Sequence, residues 1–181
     1  MATGREATID DLYHVDGKAE IVDGELVLMS AASGLHGYAA GRIYASLLEY
    51  ESRTKRGHAL PDNVVFVVDL PRRRSFSPDA AFTLAPLTRT FIDGAPIFAA
   101  EVRSDEDYGP AAERAMARKR ADYFSAGTLV VWDVDTLESE IVRVFRAGDP
   151  EHAVIYRRGE RADAEPALPG WSMPVDDLFP Q

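Results

Sequence analysis

Two short stretches constrain this chain more than any others. Ser77-Pro78-Asp79-Ala80-Ala81-Phe82 and Ile97-Phe98-Ala99-Ala100-Glu101-Val102-Arg103-Ser104 are apolar enough to be buried strands, yet each carries one carboxylate. Side chains alternate across a strand, so Ile97, Ala99, Glu101 and Arg103 share one face, and Phe98, Ala100 and Val102 share the other. Burying an isolated carboxylate is costly unless it is paired or coordinates a metal. Asp79 and Glu101 on neighbouring strands therefore point to a divalent-cation site built on oxygen ligands.

The flanking sequence predicts a sheet around this pair. Thr8 to Tyr13 reads as a short capped helix over a sheet edge, with Asp10 and Asp11 near its positive end. Asp23-Gly24 is a strong hairpin pair between strands at 19–22 and 25–30, and Glu20 lies on the first of these. His36 to Arg56 has helical spacing, with an apolar face of Ile43, Tyr44, Leu47 and Leu48, and Gly57 as its stop. His36 falls in the first turn of that helix; no second His stands at ligand spacing, which argues against zinc.

Val64–Leu70 and Phe76–Leu84 are expected to pair across Pro71-Arg72-Arg73-Arg74, with Pro78 at an irregular or edge position, and residues 85–95 read as a loop that carries at most a short turn of helix. A helix follows over 111–126. Its stripe Ala112, Ala115, Met116, Lys119, Tyr123, Ala126 would bury Lys119, whereas Ala117, Ala121 and Phe124 would leave it in solvent; periodicity allows both. Leu129–Val134 reads as a central strand, Glu140–Arg146 and His152–Arg158 as a hairpin about Ala147-Gly148-Asp149-Pro150, and the tail as irregular but anchored by aromatics. Strands around two main helices imply an α/β (α+β) domain with a mixed sheet.

Composition narrows the function classes. At 181 residues, 46% of them hydrophobic, residues 1–181 suffice for one domain with its own core. No apolar run approaches the roughly 20 residues of a membrane helix. Met1-Ala2-Thr3-Gly4-Arg5-Glu6 has no apolar leader core, so a cytoplasmic protein is expected. Without cysteine there is no disulfide, thiolate zinc site or Cys nucleophile, and no Gly-x-Ser-x-Gly elbow supports a serine hydrolase. The net charge of −10 opposes a nucleic-acid partner, because affinity for DNA comes largely from Lys and Arg on phosphates. Local basic clusters at Lys55-Arg56, Arg72-Arg73-Arg74, Arg118-Lys119-Arg120 and Arg157-Arg158 offset this, and Arg72, Arg73, Arg74, Arg118 and Arg120 are the candidate DNA contacts.

Pro78-Asp79 followed by Glu101-Val102-Arg103 resembles the PD-(D/E)XK signature, with Arg where that signature has Lys. Further pieces, in order, are Ala19-Glu20-Ile21-Val22-Asp23-Gly24-Glu25-Leu26-Val27, His36, Lys119-Arg120-Ala121-Asp122-Tyr123, Gly127 and Val131-Trp132-Asp133-Val134-Asp135. Together they resemble the Uma-type restriction endonucleases of bacteria along nearly the whole chain. The resemblance implies a restriction-endonuclease-like core in which Asp79, Glu101 and the Val102 carbonyl hold Mg²⁺ or Mn²⁺, with Glu20 completing the shell. It further implies Lys119 as the catalytic cation, since the family has a Lys four residues before the Tyr matched here by Tyr123. Arg103 becomes a secondary contact, paired with Glu101 when metal is absent, and His36 and Tyr123 become site neighbours. The implied activity is metal-dependent DNA phosphodiester hydrolysis, with a homodimer suited to cutting both strands. The alternative is a catalytically inactive nuclease-fold module that binds or regulates.

Overall fold

The computed structural model describes residues 5–181; residues 1–4, part of the stretch read as lacking a leader, lie outside the described residues. Thr8 opens helix α1 (Ile9–Leu12), its backbone N–H and hydroxyl both donating to the Asp11 carboxylate at 2.7 and 2.9 Å. Leu12 packs with Ala19, Ile21 and Val65, so the turn covers the next hairpin. That hairpin is β1 (Ala19–Val22) and β2 (Glu25–Leu28), joined by Asp23 and Gly24 at φ 52° and 78°, the left-handed pair that a tight antiparallel turn requires.

Helix α2 (Gly34–Thr54) starts at Ser33, whose hydroxyl accepts the His36 N–H, and stops at Lys55 in the left-handed conformation. The expected stop, Gly57, has another duty: a Cβ there would lie 2.4 Å from the Thr83 carbonyl oxygen, so a glycine lets the incoming chain pass close to its neighbour. Strands β3 (His58–Leu60), β4 (Phe66–Val67), β5 (Ser75–Phe76), β6 (Ala80–Thr83), β7 (Ile92–Asp93) and β8 (Phe98–Val102) follow. The expected pairing of 64–70 with 76–84 is divided. β4 pairs with β5 and not with β6, and Pro78, which has no N–H to give, ends that ladder before β6 enters the main sheet. β7 forms inside the expected loop, parallel to β4.

Pro110 stands at the first position of α3 (Pro110–Ser125). After β9 (Val130–Asp135) come β10 (Ile141–Arg146) and β11 (Asp149–Arg157), whose turn is Ala147-Gly148; Pro150 sits on the outer strand, where a missing donor costs no ladder bond. The tail is more ordered than expected. β12 (Arg161–Asp163) and β13 (Ser172–Pro174) pair antiparallel, followed by a 3₁₀ turn at Val175–Leu178.

The main sheet runs β11-β10-β9-β8-β6-β3, antiparallel throughout except for the parallel β8–β9 pair. Alternation divides its two faces. Phe82, Phe98, Ala100, Trp132 and Val134 pack against Ile43 and Leu47 of α2 and against Trp171 of the tail. Ala81, Ala99 and Val131 pack against Tyr123 of α3 and against Phe66 and Phe76. None of the described helices is long and apolar enough to cross a membrane.

Candidate active site

The register of β6 and β8 builds the site. Ala80 lies opposite Ala100, so extending the ladder by one residue sets Asp79 against Glu101, on the α3 face. The Asp79 N–H still reaches the Ala100 carbonyl at 3.0 Å, which holds the residue after Pro78 against β8. Both carboxylates line a cavity of about 550 Å³, together with Lys18, His36, Lys119 and Asp133.

Asp79 is almost fully buried and has a partner on each oxygen. Oδ1 faces Lys18 Nζ at 2.5 Å and His36 Nε2 at 3.2 Å, while Oδ2 accepts the Val102 N–H at 2.7 Å. Burial opposes the charge, but the His36 hydrogen bond and the Lys18 ammonium outweigh it and hold the carboxyl well below its usual range. The His36 imidazole is raised in return, mainly by its hydrogen bond to Asp79. His36 Nδ1 is buried without a hydrogen-bond partner.

Glu101 shows the opposite balance. Its Oε1 accepts the Tyr123 hydroxyl at 2.6 Å and faces Lys119 Nζ at 2.9 Å. Burial nevertheless raises its pKa, opposed by Lys119 and reinforced by the charges of Asp79 and Glu20. The second stripe proposed for α3 is excluded: Ala117 and Ala121 are exposed, and Lys119 points inward with 18% of its side chain accessible. Burial pulls the Lys119 ammonium down, but Glu101 and Glu20, both at 2.9 Å, more than compensate and keep it protonated above its usual range.

Glu20, expected to complete a metal shell, is engaged by three protein partners. Oε1 accepts the Ser77 N–H at 2.8 Å and faces Lys119, while Oε2 is 2.5 Å from Arg73 Nη1. Its strand belongs to the small β1–β2 hairpin, so it approaches Lys119 from behind and is absent from the cavity lining. Arg103 also differs. Its guanidinium makes two 2.7 Å bonds to Asp133, the residue beside Glu101 in the parallel ladder, and a 2.5 Å bond to Glu113; Glu101 is not a partner.

The basic run at 72–74 does not form a common patch. Arg72 is held by Asp23 in two bonds of 2.8 and 2.7 Å, and Arg74 faces Asp69 at 3.2 Å. Arg73 is buried, bridging Glu20 and Asp122 beneath the Phe76 ring. Sequence reasoning overlooked Lys18 and Asp133 and misread Arg73, because the partners of all three lie far away in the chain.

The donor set bears on the cation that such a site would take. Among the described residues no three His, Asp or Glu side chains converge as a ready-made cage. Asp79 and Glu101 in one carboxylate-rich cavity, with no thiolate available, suit a small hard cation such as Mg²⁺ or Mn²⁺, which keeps several water ligands.

A mixed sheet between α2 and α3, carrying an acidic pair where two of its strands meet, defines a restriction-endonuclease-like domain. The solved structure of a protein described as a putative nuclease belonging to DUF820, from Anabaena variabilis, has the same fold: TM-score 0.74 over 96% of this chain and 97% of that one, at 15% identity. A family model described as Uma2, putative restriction endonuclease, matches residues 7–176, and the chain belongs to this family. No curated protein matches it.

Proposed function

We propose that the protein is a metal-dependent nuclease that hydrolyses phosphodiester bonds in DNA. The observation that carries this reading is the pairing of Asp79 with Glu101 in one cavity, with the Lys119 ammonium on Glu101 at 2.9 Å. The family description and the nuclease name of the structural relative support it. In this reading Asp79, Glu101 and the Val102 carbonyl hold Mg²⁺ or Mn²⁺. When bound, such an ion polarises a phosphoryl oxygen and lowers the pKa of a coordinated water.

The remaining roles fall to the chain itself. Lys119 keeps its proton, so it acts on the negative charge that grows on the phosphoryl oxygens and not as a base. Glu20 and Tyr123 are its positioning partners: Glu20 holds the ammonium from behind, and the Tyr123 hydroxyl fixes the shared Glu101 oxygen. Arg103, tied to Asp133 and Glu113, braces β8 against β9 and α3. His36 steadies Asp79 from the first turn of α2.

The net charge of −10 favours a second reading, a non-catalytic module on the same fold. Incubation of supercoiled plasmid with Mn²⁺ or with EDTA separates the two. The nuclease reading expects nicking with Mn²⁺ alone that Asp79→Ala abolishes; no nicking in any divalent ion favours the module. Light scattering on the same sample checks the homodimer that cutting both strands favours.

A further inference from the structure

The cavity contains an ammonium that the metal site does not call for. Lys18 comes from the segment ahead of β1 and lies between two carboxylates, with Nζ 2.5 Å from Asp79 Oδ1 and 2.7 Å from Asp62 Oδ1. Its side chain is 15% exposed, whereas that of Asp62 is 41% exposed. The other Asp79 oxygen is fixed by the Val102 backbone N–H at 2.7 Å. Oδ1 carries both Lys18 and His36, so a cation that binds Asp79 through this oxygen meets the ammonium.

From this geometry, and resting on the metal-site reading above, we infer that Lys18 is a resident counter-ion that a divalent metal displaces from Asp79. The exchange is feasible because the lysine has somewhere to go. Asp62 already holds the same ammonium, so leaving Asp79 does not strand a buried charge, which would be costly. The surroundings also match a site awaiting more positive charge. Four carboxylates (Asp79, Glu101, Glu20 and Asp62) face three basic side chains (Lys18, Lys119 and Arg73), with His36 beside Asp79. With His36 neutral this set is short of positive charge, and a doubly charged ion on Asp79 more than offsets that shortfall while Lys18 stays on Asp62 at the cavity wall. The ammonium thus sets the metal concentration at which the site fills, and it keeps Asp79 ionised and oriented until then.

Calorimetric titration of the full chain with MnCl₂ tests the exchange without relying on activity. Removing the competitor in Lys18→Met tightens Mn²⁺ binding by about ten- to a hundredfold, the factor equivalent to one hydrogen bond to a charged group. Lys18→Gln, which keeps a donor for Asp79 but no charge, gives the same direction if the apolar variant folds poorly. Lys18→Arg, which keeps the charge, stays near the wild-type affinity. Unchanged or weaker Mn²⁺ binding in both uncharged variants overturns the inference and makes Lys18 a support for the Asp79 carboxylate. Mn²⁺ binding that survives Asp79→Asn overturns the metal-site reading itself, and the exchange with it.

Discussion

The two acidic residues should respond in opposite directions when each is neutralised in metal-free protein. Asp79 is held below its usual pKa, so its ionised form stabilises the fold; that contribution is present above the unfolded value and fades as pH falls through the folded one. Glu101 is raised, so its ionisation opposes the fold once pH rises through its folded value. Asp79→Asn removes the charge facing Lys18 and His36 and disturbs the Val102 N–H bond. Loss of such buried, charge-assisted contacts costs about 2–4 kcal/mol, because Lys18 retains Asp62 and is not left wholly unpaired. For a chain of 181 residues this lowers Tm by roughly 5–15 °C.

Glu101→Gln keeps an oxygen for the Tyr123 hydroxyl and leaves Lys119 on Glu20. Its stability should stay within about 1 kcal/mol of wild type, or rise, since it relieves repulsion among buried carboxylates. Thermal unfolding in EDTA at neutral pH, followed by circular dichroism, reads both changes. Equal losses in the two variants would refute the assignment of opposite charge balance to the pair.

Arg73→Ala is expected to lose about 2–4 kcal/mol in denaturant unfolding, because buried Glu20 loses one of its two cationic partners and keeps only Lys119 and the Ser77 N–H, whereas exposed Arg72→Ala changes stability far less. Equal effects would make Arg73 a surface residue. Asp11, drawn from its ordinary 3.8 to about 2 by the Thr8 N–H, Arg5 and the Thr8 hydroxyl, stabilises the N-terminal turn above the unfolded value and loses that effect as pH falls towards 2. The stability gap between wild type and Asp11→Asn should therefore close over that range; a gap that persists at pH 2 contradicts the capping role.

Much of the framework is legible locally. Asp23-Gly24 specifies its hairpin by backbone conformation alone, and the lone carboxylates Asp79, just before β6, and Glu101, in β8, stand out because a buried strand has no other use for them. Periodicity does not decide where Lys119 points, since α3 is short of large apolar residues; its inward face is set by Glu20 and Glu101. Arg73 reads as part of a solvated basic run until Glu20 and Asp122 arrive from distant segments. Lys18 has no local signature, because its partner Asp79 lies 61 residues away. The tail is ordered by contacts no pattern reveals, with Trp171 against Phe98 and Trp132.

In the proposed hydrolytic centre Asp79, Glu101 and Lys119 act together, while Arg103, on the same cavity wall, is engaged by Asp133 and Glu113. Plasmid nicking in Mn²⁺ by Lys119→Met and Arg103→Met, compared below the melting temperature of each, tests it most directly. Lys119→Met should slow nicking by about a hundred- to a thousandfold, the usual effect of removing one oxyanion-stabilising group, while still binding Mn²⁺. Arg103→Met should lose much less. A larger loss in Arg103→Met would move the chemistry onto the strand, to the side chain bonded here to Asp133 and Glu113, and would contradict the assignment of Lys119.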